Sequence, residues 1–97
     1  MAENTVKVVA RIKAKPDKVS ELREILSSLV EPTRKEKGCI SYEMLGNRSD
    51  STDFTFVEEW ADDATHQAHL EGLQNSLPKL MELAAEPPDI RTYSVVG

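Results

Sequence analysis

The sequence predicts a ferredoxin-like α+β fold, in which a four-stranded antiparallel sheet carries its helices on one face. The first observation is that apolar side chains alternate with a period of two at the start, in the middle and at the end of the chain. The second is that segments with helical spacing lie between them, which makes the order β-α-β-β-α-β. The third is the length, because 97 residues suffice for a single core and hence for one domain over 1–97.

The first strand and the first helix follow from the spacing of apolar residues. Along 5–14 they occupy every second position, as in a strand with one buried face. From Val19 to Val30 they recur every three or four positions, which predicts a long amphipathic helix. Pro32 lacks an N–H and should disturb the last turns, with Gly38 as the end of the helix. Residues 33–37 are therefore expected to form an exposed, charged helix end.

A β-hairpin is predicted next, from two β-rich runs at 40–45 and 53–60 that flank the turn-forming residues 46–51. One face of the second run carries Phe54, Phe56, Glu58 and Trp60. A carboxylate therefore lies between aromatic side chains on that face.

The remaining chain predicts one more helical region and a last strand. Asp62 or Asp63 is suited to cap a helix that runs through Leu70, because a carboxylate oxygen accepts from the free N–H groups of a first turn. A further helical piece is predicted over 76–85. After two prolines a final strand is predicted over 90–96.

One face of the predicted sheet would remain bare, because both helices cover the other face. The bare face carries Val9, Val57 and either Tyr93 or its neighbours, which would leave an apolar patch in water. A second copy of the sheet is the simplest cover. We therefore expect a homodimer that forms through this face.

Composition and charge exclude several functional classes. A formal net charge of -5 without a strongly basic block disfavours nucleic acid as a partner. The N-terminal region lacks a signal-peptide pattern and no run is long enough for a membrane span, so a cytoplasmic protein without a membrane partner is expected. Cys39 is the only cysteine, and no glycine-rich phosphate loop or dinucleotide fingerprint occurs, so neither a metal nor an organic cofactor is expected.

The only tryptophan and both histidines lie close together, at Trp60, His66 and His69. Two histidines three residues apart project to the same side of a helix. Neutral imidazole accepts protons near pH 7, so either histidine is a candidate general base. The alternative is a solvated histidine beside a packed, hydrogen-bonded one. A metal site with Asp62 or Asp63 is a weaker interpretation, because the spacing is loose.

Three further side chains belong to the candidate site. Glu58 needs a partner if it is buried, for a structural or a catalytic purpose. The sequence offers as partners Arg11, Arg91, Lys7 and the histidines. Tyr42 on the neighbouring strand is placed either to direct its phenol into the same space or to pack in the core. Phe56 and Trp60 are either core aromatics or walls of a site.

The segments PTRKEKGCISYEM and FVEEWADDATHQAHL contain two linked motifs. Their characteristic positions are Thr33, Arg34, Glu36, Gly38, Cys39, Tyr42, Glu58, Trp60 and 68–70. Together they resemble the antibiotic biosynthesis monooxygenase (ABM) domain. The resemblance implies a dimeric ferredoxin-like α/β-barrel that oxidises a small quinol, phenol or polycyclic aromatic with dioxygen and without a cofactor.

The same resemblance suggests roles for individual residues. His69 would accept a proton from the substrate, and His66 or Tyr42 would assist by hydrogen bonding. The residues expected to bind the substrate are Trp60, Phe56, Glu58, Arg11 and Met81.

Other activities of similar proteins remain as alternatives. The haem-degrading type uses an Asn, a Trp and a His, and the aligned positions here are Ala10, His69 and Lys79. That triad is therefore absent. An isomerase of a phosphorylated autoinducer-like sugar would need cationic partners such as Arg11, Arg48 or Arg91. A ligand-binding dimeric module without turnover is the third possibility, because one fold carries many functions.

Overall fold

A computed structural model describes residues 5–97 of the chain. Its strands are β1 (Val6–Lys13), β2 (Cys39–Asn47), β3 (Asp50–Trp60) and β4 (Asp89–Tyr93). Its helices are α1 (Val19–Ser28), α2 (Val30–Arg34), α3 (Asp63–Gly72) and α4 (Leu77–Leu83). The first four residues, which belong to the N-terminal region predicted to lack a signal peptide, lie outside the described range.

The sheet has the strand order β2-β3-β1-β4, and every neighbouring pair is antiparallel. This order and the sequence of elements confirm the predicted ferredoxin-like α+β fold. The first predicted helical region is divided into two shorter helices, whereas α3 and α4 correspond to the two helical pieces predicted after β3. No helix within the described range is long and apolar enough to cross a membrane.

The core lies between the inner face of the sheet and the helices. Val8 in the middle of β1 is fully buried. The helix α1 adds Leu22 and Leu26, which are four residues apart and hence on one face, and α4 adds Leu80 and Leu83. Each buried side chain of this size contributes about 1.5–3 kcal/mol to the free energy of folding. The apolar spacing of the sequence therefore predicts which helix faces are buried.

The first helical region is interrupted, whereas the spacing predicts one long helix. α1 ends at Ser28 and α2 begins at Val30, with Leu29 between them. Pro32 consequently lies in the first turn of α2, where a missing N–H leaves no hydrogen bond unmade. The interruption thus accommodates the proline.

Residues 34–37 are exposed, as predicted for 33–37, but the helix ends earlier and Thr33 is buried. α2 ends at Arg34, and Gly38 follows in a turn with a φ of 84°. Thr33 is only 2% exposed. It is buried because α2 packs against β2.

The hairpin between β2 and β3 is tighter than predicted. The strands extend to Asn47 and from Asp50, so only two residues form the turn instead of the expected 46–51. The side chain of Asn47 accepts from the backbone N–H of Ser49 at 2.8 Å, which is a local hydrogen bond typical of turns.

The last strand, β4, is shorter than predicted, because it ends at Tyr93 rather than at residue 96.

The start of α3 is set by a capping box, in which Asp62 is the N-cap. Its side chain accepts from the backbone N–H of Thr65 at 2.8 Å. The hydroxyl oxygen of Thr65 in turn accepts from the backbone N–H of Asp62 at 3.4 Å. This cap begins the helix two residues after β3, and it thereby fixes which residues of α3 face the sheet.

The outer face of the sheet combines apolar side chains with ion pairs. Leu45, Val57 and Tyr93 are 45%, 37% and 48% exposed. Ion pairs on the same face join Lys7 to Glu59, Arg11 to Asp53 and Arg91 to Asp89, with N–O distances of 3.1, 3.0 and 3.0 Å. The uncovered, partly apolar face that the sequence predicts is therefore present.

Candidate active site

A cavity of about 80 Å³ lies between the inner face of the sheet and helices α1, α3 and α4. Polar side chains border it on the side of β2, β3 and α3, and these are Tyr42, Glu58, His66 and His69. The other lining side chains are mostly apolar, and they include Leu26, Leu29, Phe56, Leu70, Leu73, Leu77, Leu80 and Ile90. The cavity is therefore mostly apolar, and its polar and ionisable side chains lie on one side.

His69 on α3 is held by Glu36, which lies in the turn between α2 and β2. The Nδ1 atom of His69 is 3.1 and 3.2 Å from the two carboxylate oxygens of Glu36. A carboxylate can only accept, so Nδ1 carries the proton of this hydrogen bond. In the neutral imidazole, Nε2 is then the atom with the lone pair. The Glu36 hydrogen bond therefore selects the tautomer in which Nε2 can act as a base.

The pair has one end in the interior and one end in solvent. The side chain of His69 is 2% exposed, whereas that of Glu36 is 39% exposed. Because Glu36 is partly hydrated, it orients the buried imidazole of His69 without the full desolvation cost of a buried carboxylate. This division suits a base that must take up a charge during a reaction.

Glu58 is buried in the same wall and is bound by a tryptophan rather than by a cation. The indole N–H of Trp60 donates to Oε1 of Glu58 at 2.8 Å. Burial raises the pKa of Glu58, although the hydrogen bond from Trp60 acts in the opposite direction. The predicted cationic partners are wrong, because Lys7, Arg11 and Arg91 pair with other carboxylates on the outer face.

His66 lies one turn before His69 and is 6% exposed. Its Nε2 atom is buried and has no hydrogen-bond partner. Burial, and then the neighbouring His69, lower the pKa of His66 below its ordinary value. The ring is therefore neutral at pH 7 and has an unused polar atom in the wall of the cavity.

Tyr42 completes the polar wall from the neighbouring strand β2. Its ring contacts Phe56 and His69, with centroids 5.1 and 5.7 Å away. Burial, and then the charge of Glu58, raise the pKa of Tyr42. The phenol therefore keeps its proton at neutral pH and acts as a hydrogen-bond donor or acceptor rather than as a base.

Trp60 packs against the rings of both histidines and does not line the cavity. Its ring centroid is 4.8 Å from that of His69 and 6.0 Å from that of His66, and the residue is fully buried. The expectation that Trp60 is a wall of the pocket is thus corrected. Trp60 restricts where the imidazoles can lie, because three packed rings leave little freedom.

Two other expected lining residues are also placed differently. Met81 is 42% exposed and is not among the lining residues, because α4 turns Leu80 rather than Met81 toward the core. Arg11 borders the cavity as a residue of β1, but its guanidinium group lies on the outer face, where it binds the carboxylate of Asp53 through two hydrogen bonds of 3.2 and 3.0 Å. The structure therefore brings together His66, His69, Tyr42, Phe56 and Glu58.

The Thr-Arg-x-Glu segment forms the joint between α2 and β2 and supports the site. Arg34 donates from Nε to the backbone carbonyl of Tyr42 at 3.0 Å. Thr33 lies beside the phenol of Tyr42, and Glu36 binds His69. Glu36 is the site residue that periodicity does not reveal, because it is 33 positions away from its partner. Its place in the motif is the only sequence signal.

A wider open groove of about 570 Å³ lies between the first helices and the hairpin. Its lining contains neither histidine nor tyrosine, and no carboxylate or cysteine. The groove therefore lacks a general base, and the smaller cavity is the candidate active site. Within residues 5–97, no group of three His, Cys, Asp or Glu side chains is arranged to hold a metal ion.

Comparison with known protein families decides the classification. Residues 5–74 match the family model described as antibiotic biosynthesis monooxygenase. The chain belongs to this family. The matched range includes β1, the Thr-Arg-x-Glu joint and both histidines, but not α4 and β4.

Relatives of this ABM chain agree with the classification. The uncharacterized protein sll1783 of Synechocystis is 31% identical over 97% of the chain, which spans 65% of that protein's length. The Bacillus subtilis protein named "Putative monooxygenase YcnE" is 32% identical over 84% of the chain and 87% of its own length. The solved structure of Rv0793 from Mycobacterium tuberculosis has a TM-score of 0.88 and 25% identity, and covers 96% of both chains. The fold thus extends over nearly the whole chain, and the family model matches residues 5–74 of it.

Proposed function

We propose that this ABM protein is a cofactor-independent monooxygenase that oxidises a small quinol, phenol or polycyclic aromatic with dioxygen. The observation that carries the proposal is the His69 imidazole, whose Nδ1 atom is fixed by Glu36 at the wall of an apolar cavity. This pair provides an oriented base in a site that contains few competing polar groups. The family and the relative named as a monooxygenase support the reaction class.

The reaction begins when Nε2 of His69 takes the proton of a substrate hydroxyl. The resulting anion is rich in electrons and passes one electron to dioxygen, after which the two radicals combine to a peroxide at a ring carbon. Cleavage of the O–O bond leaves one oxygen atom on the ring and releases the other as water. The ring loses two hydrogens and gains one oxygen, so the substrate itself supplies all the electrons that the reaction needs.

The protein contributes a base and hydrogen-bond donors to this sequence. Glu36 stabilises the imidazolium that forms when His69 is protonated, and the imidazolium later returns the proton to the departing oxygen. Tyr42 keeps its proton at neutral pH and can donate to the developing oxyanion. Oε1 of Glu58 accepts from the indole N–H of Trp60, which holds this carboxyl group in place beside the base.

The cavity must widen before it holds an aromatic substrate. Its volume is about 80 Å³, whereas ligand pockets typically measure roughly 300–1,000 Å³. Leu73 and Leu77 line the cavity on either side of the break between α3 and α4, and both are only partly buried. We infer that these two side chains move apart when the substrate enters.

Oxygen uptake by the purified protein tests the proposed reaction. A panel of quinols and polycyclic phenols is incubated with the protein under ¹⁸O₂, and the rate is compared with autoxidation. We expect faster uptake with at least one compound, and one ¹⁸O atom in the product. An uptake equal to autoxidation for the whole panel would contradict the proposal and would favour a binding module.

The isomerase alternative receives little support from the charges of the site. Arg11 is the only cation that lines the cavity within the described range, and it is paired with Asp53. Arg91 is exposed and paired with Asp89 on the outer face. Inorganic phosphate should accordingly fail to compete with an aromatic substrate.

We further propose that the outer sheet face forms a homodimer. Val9 and Val57 are paired across β1 and β3 in the middle of this face. A Val57→Lys variant would place an unpaired charge in the interface, and the dimer Kd should rise about 100-fold or more. Sedimentation velocity measures this change, with Ser20→Lys on the exposed side of α1 as the control. An unchanged Kd would exclude this face as the interface.

A further inference from the structure

His66 is a second imidazole at the cavity, and the proton transfer proposed for His69 does not use it. The residue is 6% exposed, and its Nε2 atom is buried without a partner. No other buried side-chain nitrogen or oxygen atom of residues 5–97 lacks a hydrogen bond. Because an unpaired buried polar atom destabilises a fold, its presence at a cavity wall indicates a partner that arrives with the ligand.

The two imidazoles face the same space. His66 and His69 both line the cavity, their ring centroids are 6.4 Å apart, and their planes differ by only 24°. Both also contact the ring of Trp60, so neither has much rotational freedom. A ligand that reaches Nε2 of His69 therefore lies close to the free Nε2 of His66.

The protonation state of His66 restricts which functional group of a ligand it can bind. Burial favours the neutral ring, and His69 acts in the same direction, whereas Asp63 opposes them. A neutral imidazole nitrogen either donates or accepts a single hydrogen bond. A hydroxyl pairs with Nε2 whether that atom donates or accepts, and a carbonyl oxygen pairs with it when it donates. A phosphate or carboxylate would find no free cation in this cavity.

Apart from the two histidines, the polar side chains of the lining are Tyr42, Glu58 and Arg11, of which Glu58 already accepts from Trp60 and Arg11 is paired with Asp53. The walls formed by α1, α4 and β4 consist of Leu26, Leu29, Leu77, Leu80 and Ile90. A ring with one hydroxyl bound at His69 would leave Nε2 of His66 unpaired. A ring with two suitably spaced oxygens would satisfy both histidines.

We propose that His66 binds a second oxygen of the substrate, so that the cavity selects neutral aromatic rings with two oxygens over rings with one. The preferred class comprises quinols, catechols and hydroxyketones. This selection rests on the proposed monooxygenase function and names its substrate class. Selectivity of this origin is strong, because the analogue without the second oxygen leaves a buried polar atom unpaired.

Calorimetric titration under argon tests the selection without any turnover. The wild-type protein is titrated with 1-naphthol and with the 1,2-, 1,4- and 1,8-dihydroxynaphthalenes. At least one diol should bind about tenfold tighter than 1-naphthol. A His66→Phe variant, which keeps a flat ring but no nitrogen, should bind the diol and 1-naphthol equally. His66→Gln, which retains a donor and an acceptor, should restore part of the preference.

Controls separate the role of His66 from general damage to the fold. Gln67→Ala on the exposed side of α3 should leave the preference unchanged. If the Phe variant does not fold, the ¹⁵N signal of His66 Nε2 in the wild-type protein reports the same contact, and it should shift with the diol but not with 1-naphthol. Equal affinities in the wild type, or a preference that survives in His66→Phe, would overturn the assignment.

The result is independent of the oxygen measurement. A diol preference without oxygen uptake would count against the monooxygenase reaction and not against the contact at His66. Oxygen uptake without a diol preference would count against His66 alone.

Discussion

Replacement of His69 by alanine is expected to lower kcat about 10²–10⁴-fold, which is the usual contribution of a positioned general base. The reason is that the apolar cavity contains no equivalent acceptor. His66 is not oriented by a carboxylate, Tyr42 keeps its proton, and Oε1 of Glu58 already accepts from the indole of Trp60. The substrate would then lose its proton only to water that reaches the site.

The measurement is the oxygen-uptake rate at saturating substrate, with Glu71→Gln as the matched control. Glu71 is exposed on the same helix, so its variant should retain the full rate. Glu36→Gln should cause a smaller loss than His69→Ala, because the imidazole remains but its tautomer is no longer selected. A His69→Ala protein with an unchanged rate and thermal stability would remove His69 from the mechanism.

Replacement of Gly38 by alanine is expected to destabilise the fold by about 2–4 kcal/mol, as the sum of left-handed strain and steric overlap. Gly38 has a φ of 84°, which favours glycine. A Cβ atom at this position would lie 2.5 Å from the side chain of Thr65, which belongs to the capping box of α3. The substitution would therefore push α3, with both histidines, away from the sheet.

Urea unfolding measures this loss, and Gly72→Ala is the matched control. A Cβ atom at Gly72 would meet no atom within 4 Å, so this variant should be neutral or more stable by up to about 1 kcal/mol, since alanine favours helices. Thr65→Gly in the Gly38→Ala background should recover part of the loss by removing the overlapping atoms. A Gly38→Ala protein as stable as the wild type would show that the α2–β2 turn can rearrange.

The fold could be predicted because each strand and helix buries one face, and the spacing of apolar residues in the sequence shows which face that is. The break between α1 and α2 was less accessible than the one between α3 and α4. Pro32 signals an interruption, but its position depends on where the chain can place a residue without an N–H, and the structure places the break before it, at Leu29. The burial of Thr33 depends on a contact with β2, which local spacing does not contain.

The site was partly predictable for the same reason. The i,i+3 spacing of His66 and His69 and the strand face of Glu58 follow from local geometry. The partners of these residues do not, since each is a choice among several distant candidates. Glu58 binds the indole of Trp60 rather than a cation because the arginines alternate to the opposite sheet face. Met81 fails as a lining residue because the break at 73–76 sets the rotation of α4.

The two reactants of the proposed reaction differ in how they can enter the leucine-lined cavity. Dioxygen is small and apolar, and dry apolar cavities in proteins admit gases of similar size. An aromatic ring enters only when Leu73 and Leu77 separate, and their return would close the chamber over it. Dioxygen can therefore still reach the organic reactant after the chamber has closed over it. The reactive anion meets dioxygen within a closed complex, before bulk water can return its proton.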